Sequence, residues 1–182
     1  KMIFEEFNPI ADQAEALASD DPGTRIMAVV ELADSADPLA IPLLAGVMSD
    51  SAAEVRLQAA QALTEFDGPE TASALVVGLT DSDERVRAAA AASLRELKDS
   101  AAGDSLLPHL GAADDFVVTS CLAGIKELRR VEALAPAVIA LDHASPDVRV
   151  QAVGVIGWLR DEAAVDALVR ASGDADETVR WT

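Results

Sequence analysis

A Val-Arg pair recurs along this chain at a fixed distance. Val55-Arg56, Val86-Arg87, Val148-Arg149 and Val179-Arg180 lie at multiples of 31 residues. Val117-Val118 fills the remaining step with the Arg replaced, and Thr24-Arg25 extends the series towards the N-terminus. Self-similarity at a fixed period of roughly 20–50 residues marks an array of small supersecondary units, none of which can bury its apolar face alone. Five whole units follow from this register: 19–49, 50–80, 81–111, 112–142 and 143–173. Residues 1–18 read as the second half of an earlier unit and 174–182 as the opening of a later one, so 1–182 is read as a single repeat domain. An array normally closes with atypical capping units. Phe4 and Phe7 are expected to cap one end, and an ending inside a first helix is expected of a longer array.

Each unit reads as two helices. The first opens on an acidic, turn-prone stretch such as Asp50-Ser51-Ala52 or Asp81-Ser82-Asp83. Side-chain oxygens there can accept from free helical N–H groups, and Ser145-Pro146 adds the Pro favoured in a first turn. The apolar positions then fall on one helical face, at Val55, Ala59, Ala62, Leu63 and Phe66, and at Val86, Ala90, Leu94 and Leu97 with Ser93 among them. After a short break such as Asp67-Gly68-Pro69, a second helix carries Ala72, Leu75, Val76 and Leu79, with counterparts Leu106, Leu107 and Leu110, and Leu134, Val138 and Leu141. Gly111 and Gly173 stand where a helix C-terminal Gly is expected. No sustained period-2 alternation and no Asn-Gly turn suggests a strand. The expected fold is all-α: an α-solenoid, a right-handed superhelix of stacked antiparallel helix pairs sharing one continuous core.

Composition agrees and narrows the function. Apolar residues make up 51% of the 182, aromatic residues only 3%, and small apolar side chains let helices approach closely. A net charge of −18 opposes binding to nucleic acids and anionic membranes. Only three of the cations are Lys (Lys1, Lys98, Lys126), and the Arg-, Ala- and Asp-rich usage points to a bacterial or archaeal source, high in GC or salt-adapted. Cys121 is the single cysteine, which leaves no disulfide framework. No apolar run approaches the roughly 18 residues of a bilayer span, so no membrane insertion is expected. The opening Lys1–Phe7 carries acids and lacks the apolar region of a signal peptide, so a cytoplasmic protein is expected.

The unit pattern Asp-x-x-x-x-Val-Arg-x-x-Ala-Ala-x-x-Leu, a turn, and a second Leu-rich helix resembles HEAT repeats, in the short form of the HEAT-like repeats of phycobilisome lyases and many small bacterial proteins. The resemblance covers nearly the whole chain. It implies that Arg25, Asp50, Arg56, Asp81, Arg87, Arg149, Asp174 and Arg180 form a structural ladder between units. The fourth unit departs at both positions, with Ala112 and Val118, and the fifth at one, with His143 beside Arg149. Losing Asp and Arg together spares the chain the uncompensated charge of a half-kept ion pair, and the ladder is expected to break around 112–143. The resemblance also places the second helices on the concave face, the usual binding surface of solenoids.

On that face one register reads Gly46, Val77, Pro108, Ile139 and Arg170, and its neighbour reads Pro42, Ser73, Asp104, Ala135 and Asp166. A solvent-facing helix position usually carries Lys or Glu, so these registers suggest an apolar groove with acidic flecks, suited to a helix or tail of another protein. The same small residues would also serve to pack neighbouring second helices. Trp158 stands in a register otherwise held by Asp34, Glu65, Glu96 and Glu127, as an interaction anchor or as cover for the next unit. Trp181 is read as packing on a continuation. His109 and His143 lie 34 residues apart and neither is followed by Glu, unlike the His-Glu pairs with which some HEAT-repeat hydroxylases bind iron, so no metal site and no cofactor is expected. Cys121 falls at a core position. Lys126, Arg129 and Arg130 are the one basic cluster, read as a solvated turn at a helix C-terminus, and the broad basic groove of HEAT-like DNA glycosylases is missing. No catalytic constellation is discernible. The expected function is a non-catalytic scaffold that binds another protein. The alternative, implied by the resemblance alone, is a subunit of a bilin-lyase-type enzyme acting on a tetrapyrrole-carrying protein.

Overall fold

The computed structural model describes residues 9–182, so Phe4 and Phe7 lie outside the described residues. Helix α1 (Pro9–Ala16) is followed by five pairs: α2 (Pro22–Asp34) with α3 (Ala40–Val47), α4 (Ala53–Ala62) with α5 (Pro69–Gly78), α6 (Glu84–Leu94) with α7 (Gly103–Leu106), α8 (Asp115–Leu128) with α9 (Leu134–Ala140), and α10 (Pro146–Leu159) with α11 (Val165–Ala171). Helix α12 (Glu177–Trp181) opens the next unit, and the described residues contain no strand. First helices stack on first helices, α2 through α12, and α3, α5 and α7 line up beside them. The chain is an α-solenoid.

The helix starts follow from side-chain chemistry. Asp21, Asp83, Asp114 and Asp176 accept from the amides of Thr24, Arg85, Phe116 and Thr178, satisfying donors that a first turn leaves free. Pro22, Pro69 and Pro146 each open a helix. The ends differ from expectation. Gly68, at φ 99°, is the only Gly of positive φ among the described residues, so Gly111 and Gly173 are not left-handed caps. That conformation falls instead to Ala36 (φ 50°), just after α2, and to Arg129 (φ 55°) and Arg160 (φ 51°), which close α8 and α10. The second helix of the 81–111 unit is also irregular. Pro108 has no N–H to give, and after Leu106 the chain tightens into the 3-10 stretch Leu107–Gly111.

One apolar core runs unbroken from Val29 to Val179. The periodic Val55, Val86, Val117, Val148 and Val179 are all buried, as are Leu63, Leu94, Ile125 and Ile156 one helical stripe further on. Cys121 takes the place of Ala59 and Ala90 in this core, and burial pushes its thiol up to about 12. Close approach depends on small residues. A Cβ on Gly78 would lie 2.7 Å from Met48 Cε and 2.8 Å from Ala90 Cβ. Gly78→Ala should therefore cost about 2 kcal/mol through overpacking, read as a lower urea midpoint with unchanged slope.

Candidate functional site

The second-helix face is built by helices whose other sides are committed to the core. In α5, Thr71, Ala72, Ala74, Leu75, Val76 and Gly78 are buried, which leaves Pro69 and Glu70 of the first turn exposed and, beyond them, Ser73 and Val77 one turn apart. All ten positions of the two registers singled out in the sequence are exposed: Gly46, Val77, Pro108, Ile139 and Arg170, and Pro42, Ser73, Asp104, Ala135 and Asp166. Val77 is 53% and Ile139 74% exposed, so neither is spent on packing. Between α3 and α5 lies a cavity of about 530 Å³, bordered by Ile41, Pro42 and Ala45 on one side and Glu70, Ser73 and Val77 on the other. Its polar hydroxyl is satisfied internally: Ser73 Oγ donates to the Pro69 carbonyl at 2.8 Å and lies 3.1 Å from Ser105 Oγ. What faces outward there is mainly hydrocarbon. Leu39, Val165 and Val169 add exposed apolar surface on or beside α3 and α11 that sequence reasoning missed. Val165 and Val169 share registers with the buried Ala72 and Val76, so periodicity alone assigns them to the core.

Several singled-out residues turn out to hold units together. The Asp104 carboxylate accepts from Arg130 Nη2 at 2.5 Å, while Arg130 Nη1 donates to the Ser100 carbonyl at 3.0 Å. Gly103 makes this possible, since a Cβ there would lie 2.6 Å from Arg130 Cγ. Arg130 is thus a clasp between the 81–111 and 112–142 units, not part of a solvated turn. The Arg129 guanidinium sits 4.1 Å over the Trp158 ring, tying the cap of α8 to the side of α10. Trp158 is 39% exposed, and its contact reaches back to the preceding unit. Trp181 is largely exposed. Arg170 lies 4.0 Å from Asp142, both exposed, and Asp166 is exposed. His143 Nδ1 accepts from the Ser145 amide at 3.1 Å, and its Nε2 stands 3.8 Å from Asp115. Among the described residues no group of three or more His, Cys, Asp or Glu side chains is placed to hold a metal, and no helix is long and apolar enough to cross a membrane.

The recurrent Arg side chains act across the unit boundary. Arg25 Nε and Nη2 donate to the two carboxylate oxygens of Asp50 at 2.7 and 2.8 Å. Arg56 meets Asp81 at 2.6 and 2.7 Å, and Arg149 meets Asp174 at 2.9 and 2.8 Å. Each rung joins the Arg of one unit to the Asp of the next, 25 residues on. Ala112 and Val118 therefore break two different rungs, and the sparing of charge expected from their joint loss does not occur. Arg87 keeps its charge opposite Ala112. Val118 is buried, an apolar side chain in the Arg place of the rung whose Asp place, 25 residues on, is His143. Arg87 and Arg180 donate through Nη1 only to carbonyls of their own units.

The rung geometry also sets an acid limit. The Arg hydrogen bonds hold the Asp50, Asp81 and Asp174 carboxyls below their ordinary value of 3.8. A carboxyl lowered in the folded state contributes stability that is full above the unfolded value and is lost as pH falls through the folded one. Rung stability should thus be intact above about pH 4 and fade below it. An acid titration of the urea midpoint measures this, and Asp81→Asn should flatten that limb.

Residues 45–126 and 134–182 match the family described as HEAT repeats. No curated protein matches the sequence. Among solved structures, a computationally designed armadillo repeat protein for modular peptide recognition is similar over 94% of this chain and 95% of its own, at 22% identity and a TM-score of 0.54. A designed armadillo repeat protein in complex with the peptide (KR)4 is similar over 96% of each chain, at 21% identity and a TM-score of 0.53. The complex of CpcE and CpcF of phycocyanin lyase from Nostoc sp. is similar over 99% of this chain and 77% of that one, at 22% identity and a TM-score of 0.53. At these identities the likeness is one of fold.

Proposed function

The chain belongs to the HEAT-repeat family, and from that premise we propose that it is a non-catalytic scaffold whose second-helix face binds a segment of a partner protein. The observation that carries this reading is the row of exposed hydrocarbon at Val77 and Ile139, with the apolar cavity between α3 and α5 beside it. Exposed apolar patches rimmed by polar groups mark interaction sites. The rim here is acidic, with Glu70 at the cavity and Asp166 in the neighbouring register, on a chain of net charge −18. The complementary occupant is a segment that alternates apolar and basic side chains. The repeat-protein neighbours that recognise peptides make such a use of the fold reasonable without specifying this ligand.

The test is affinity capture from the source cell with the wild-type chain and with the double variant Val77→Glu/Ile139→Glu in parallel. Both side chains are exposed, so the variant should fold with an unchanged urea midpoint. A protein retained by the wild type and lost by the variant supports the reading, and one retained equally by both sinks it. The bilin-lyase reading rests on likeness of fold to the phycocyanin lyase subunits, and capture of a tetrapyrrole-carrying protein would favour it.

A further inference from the structure

Three Arg side chains use the same two edges of the guanidinium. In Arg25, Arg56 and Arg149, Nη1 donates back to the carbonyl six residues earlier, that of Ser19, Asp50 and His143. The Nε–Nη2 edge is thereby aimed at both oxygens of the next unit's carboxylate. Arg87 carries the same anchor, with Nη1 donating to the Asp81 carbonyl at 2.8 Å and the Ser82 carbonyl at 3.3 Å. The residue 25 positions on is Ala112. Among the described residues nothing accepts from Nε or Nη2 of Arg87. Arg87 borders a cavity of about 500 Å³ between the start of α6 and the start of α8, lined also by Thr80, Asp81, Glu84, Asp114 and Phe116.

We propose that this cavity is a carboxylate-binding site, with the Nε–Nη2 edge of Arg87 as receptor and Phe116 as an apolar wall for the group that carries the carboxylate. The receptor geometry is read from the same molecule, because three equivalent edges are filled by carboxylates with both oxygens bonded. Bidentate, charge-assisted bonds of this kind are among the stronger polar contacts, and an anchored guanidinium loses little freedom in forming them. Ala112 lacks just the carboxylate that Asp supplies elsewhere, so the ligand takes the place of a missing side chain. The acidic neighbours do not close the site. Asp81 is already paired with Arg56. Asp114 corresponds to Asp83, which is paired with Arg85 beside the intact Arg56–Asp81 rung; Phe116 takes the place of Arg85, so the bidentate bonds to Arg87 have to outweigh the repulsion of Asp114. Glu84 is exposed to solvent, where its repulsion is screened. Phe116 is 40% exposed, which favours a carboxylate borne next to an apolar group. A free aryl or alkyl carboxylate and the C-terminus of a peptide chain both have that chemistry.

The experiment titrates wild-type protein with N-acetyl-phenylalanine and, separately, with its primary amide, following the Arg87 Nε–H by ¹⁵N NMR. The acid should move that resonance towards those of Arg25, Arg56 and Arg149, and the amide should leave it in place. Ala112→Asp should move it there without ligand and weaken the response to the acid at least about tenfold, since the introduced carboxylate fills the edge. Equal responses to acid and amide, no response to the acid in the tens of millimolar, or an undiminished response in Ala112→Asp would each overturn the proposal. Short peptides ending in Phe then separate the sources. A free-carboxylate peptide that binds more tightly than the single residue assigns the site to a chain terminus, and one that binds no better assigns it to a small molecule.

Discussion

Asp81→Ala is expected to lower the unfolding free energy by about 3 kcal/mol, the low end for removing one partner of a buried ion pair. The side chains of Asp81 and Arg56 are 7% and 13% exposed. The substitution takes both acceptors from Arg56, which its Nη1 bond to the Asp50 carbonyl keeps in place. It also frees the Asp83 amide, which donates to Asp81 Oδ1 at 2.8 Å. The loss should come mostly from the stranded charge and not from the missing attraction. Adding Arg56→Leu to Asp81→Ala should then restore part of the stability, because apolar residues often replace a buried pair at little cost. Val118 is the chain's own instance, a buried apolar side chain at an Arg position. Urea unfolding of the single and double variants measures both effects. A double variant no more stable than the single one would show that the rung's attraction, not the stranded guanidinium, sets the cost.

Leu122→Ala should cost about 3 kcal/mol, within the range for emptying a fully buried Leu site, and should change the shape of unfolding as well. The 112–142 unit has no rung on either side. Its register reads Val29, Ala60, Ala91, Leu122 and Val153 along the array, so Leu122 is the largest side chain of the row and sits in the unit without rungs. Taking it away leaves an Ala, as at Ala91 of the preceding unit, with no rung on either side. In a solenoid each unit leans mainly on its neighbours, and a weak unit divides the array. Residues 19–111 and 143–182 should then unfold as separate steps, with hydrogen exchange in α8 and α9 faster than on either side. The Arg130–Asp104 clasp and the Arg129–Trp158 stack remain across these boundaries. A single cooperative transition in Leu122→Ala would mean that they suffice.

Much of the fold was legible because the period is a property of the chain itself. Val55, Val86, Val117, Val148 and Val179 announce one buried seam, and the Asp-rich starts announce helix N-termini. The direction of the rungs was not legible. Within one unit the Arg meets the main-chain carbonyl of the Asp and not its carboxylate, because stacking aims the Nε–Nη2 edge at the Asp of the next unit. Hence Ala112 and Val118 looked like one loss and are two. The clasp made by Arg130 was hidden for a similar reason: it depends on room above Gly103, in another unit. Trp158 broke a register of acids, a genuine signal of something unusual, yet the Arg it stacks under lies 29 residues earlier. The cap glycines failed on local conformation, since the second helices close in right-handed turns such as those at Leu79, Leu141 and Ser172. For the candidate site, the exposed registers followed from helical spacing, whereas Val165 and Val169 share core registers and were invisible to it.

The most direct test of the scaffold reading is hydrogen–deuterium exchange on the captured complex compared with the free chain. Protection should concentrate in α3, α5 and α9, around Val77 and Ile139, with the first helices α4, α8 and α10 unchanged. Protection confined to the first helices, with α5 and α9 exchanging as in the free chain, would contradict it.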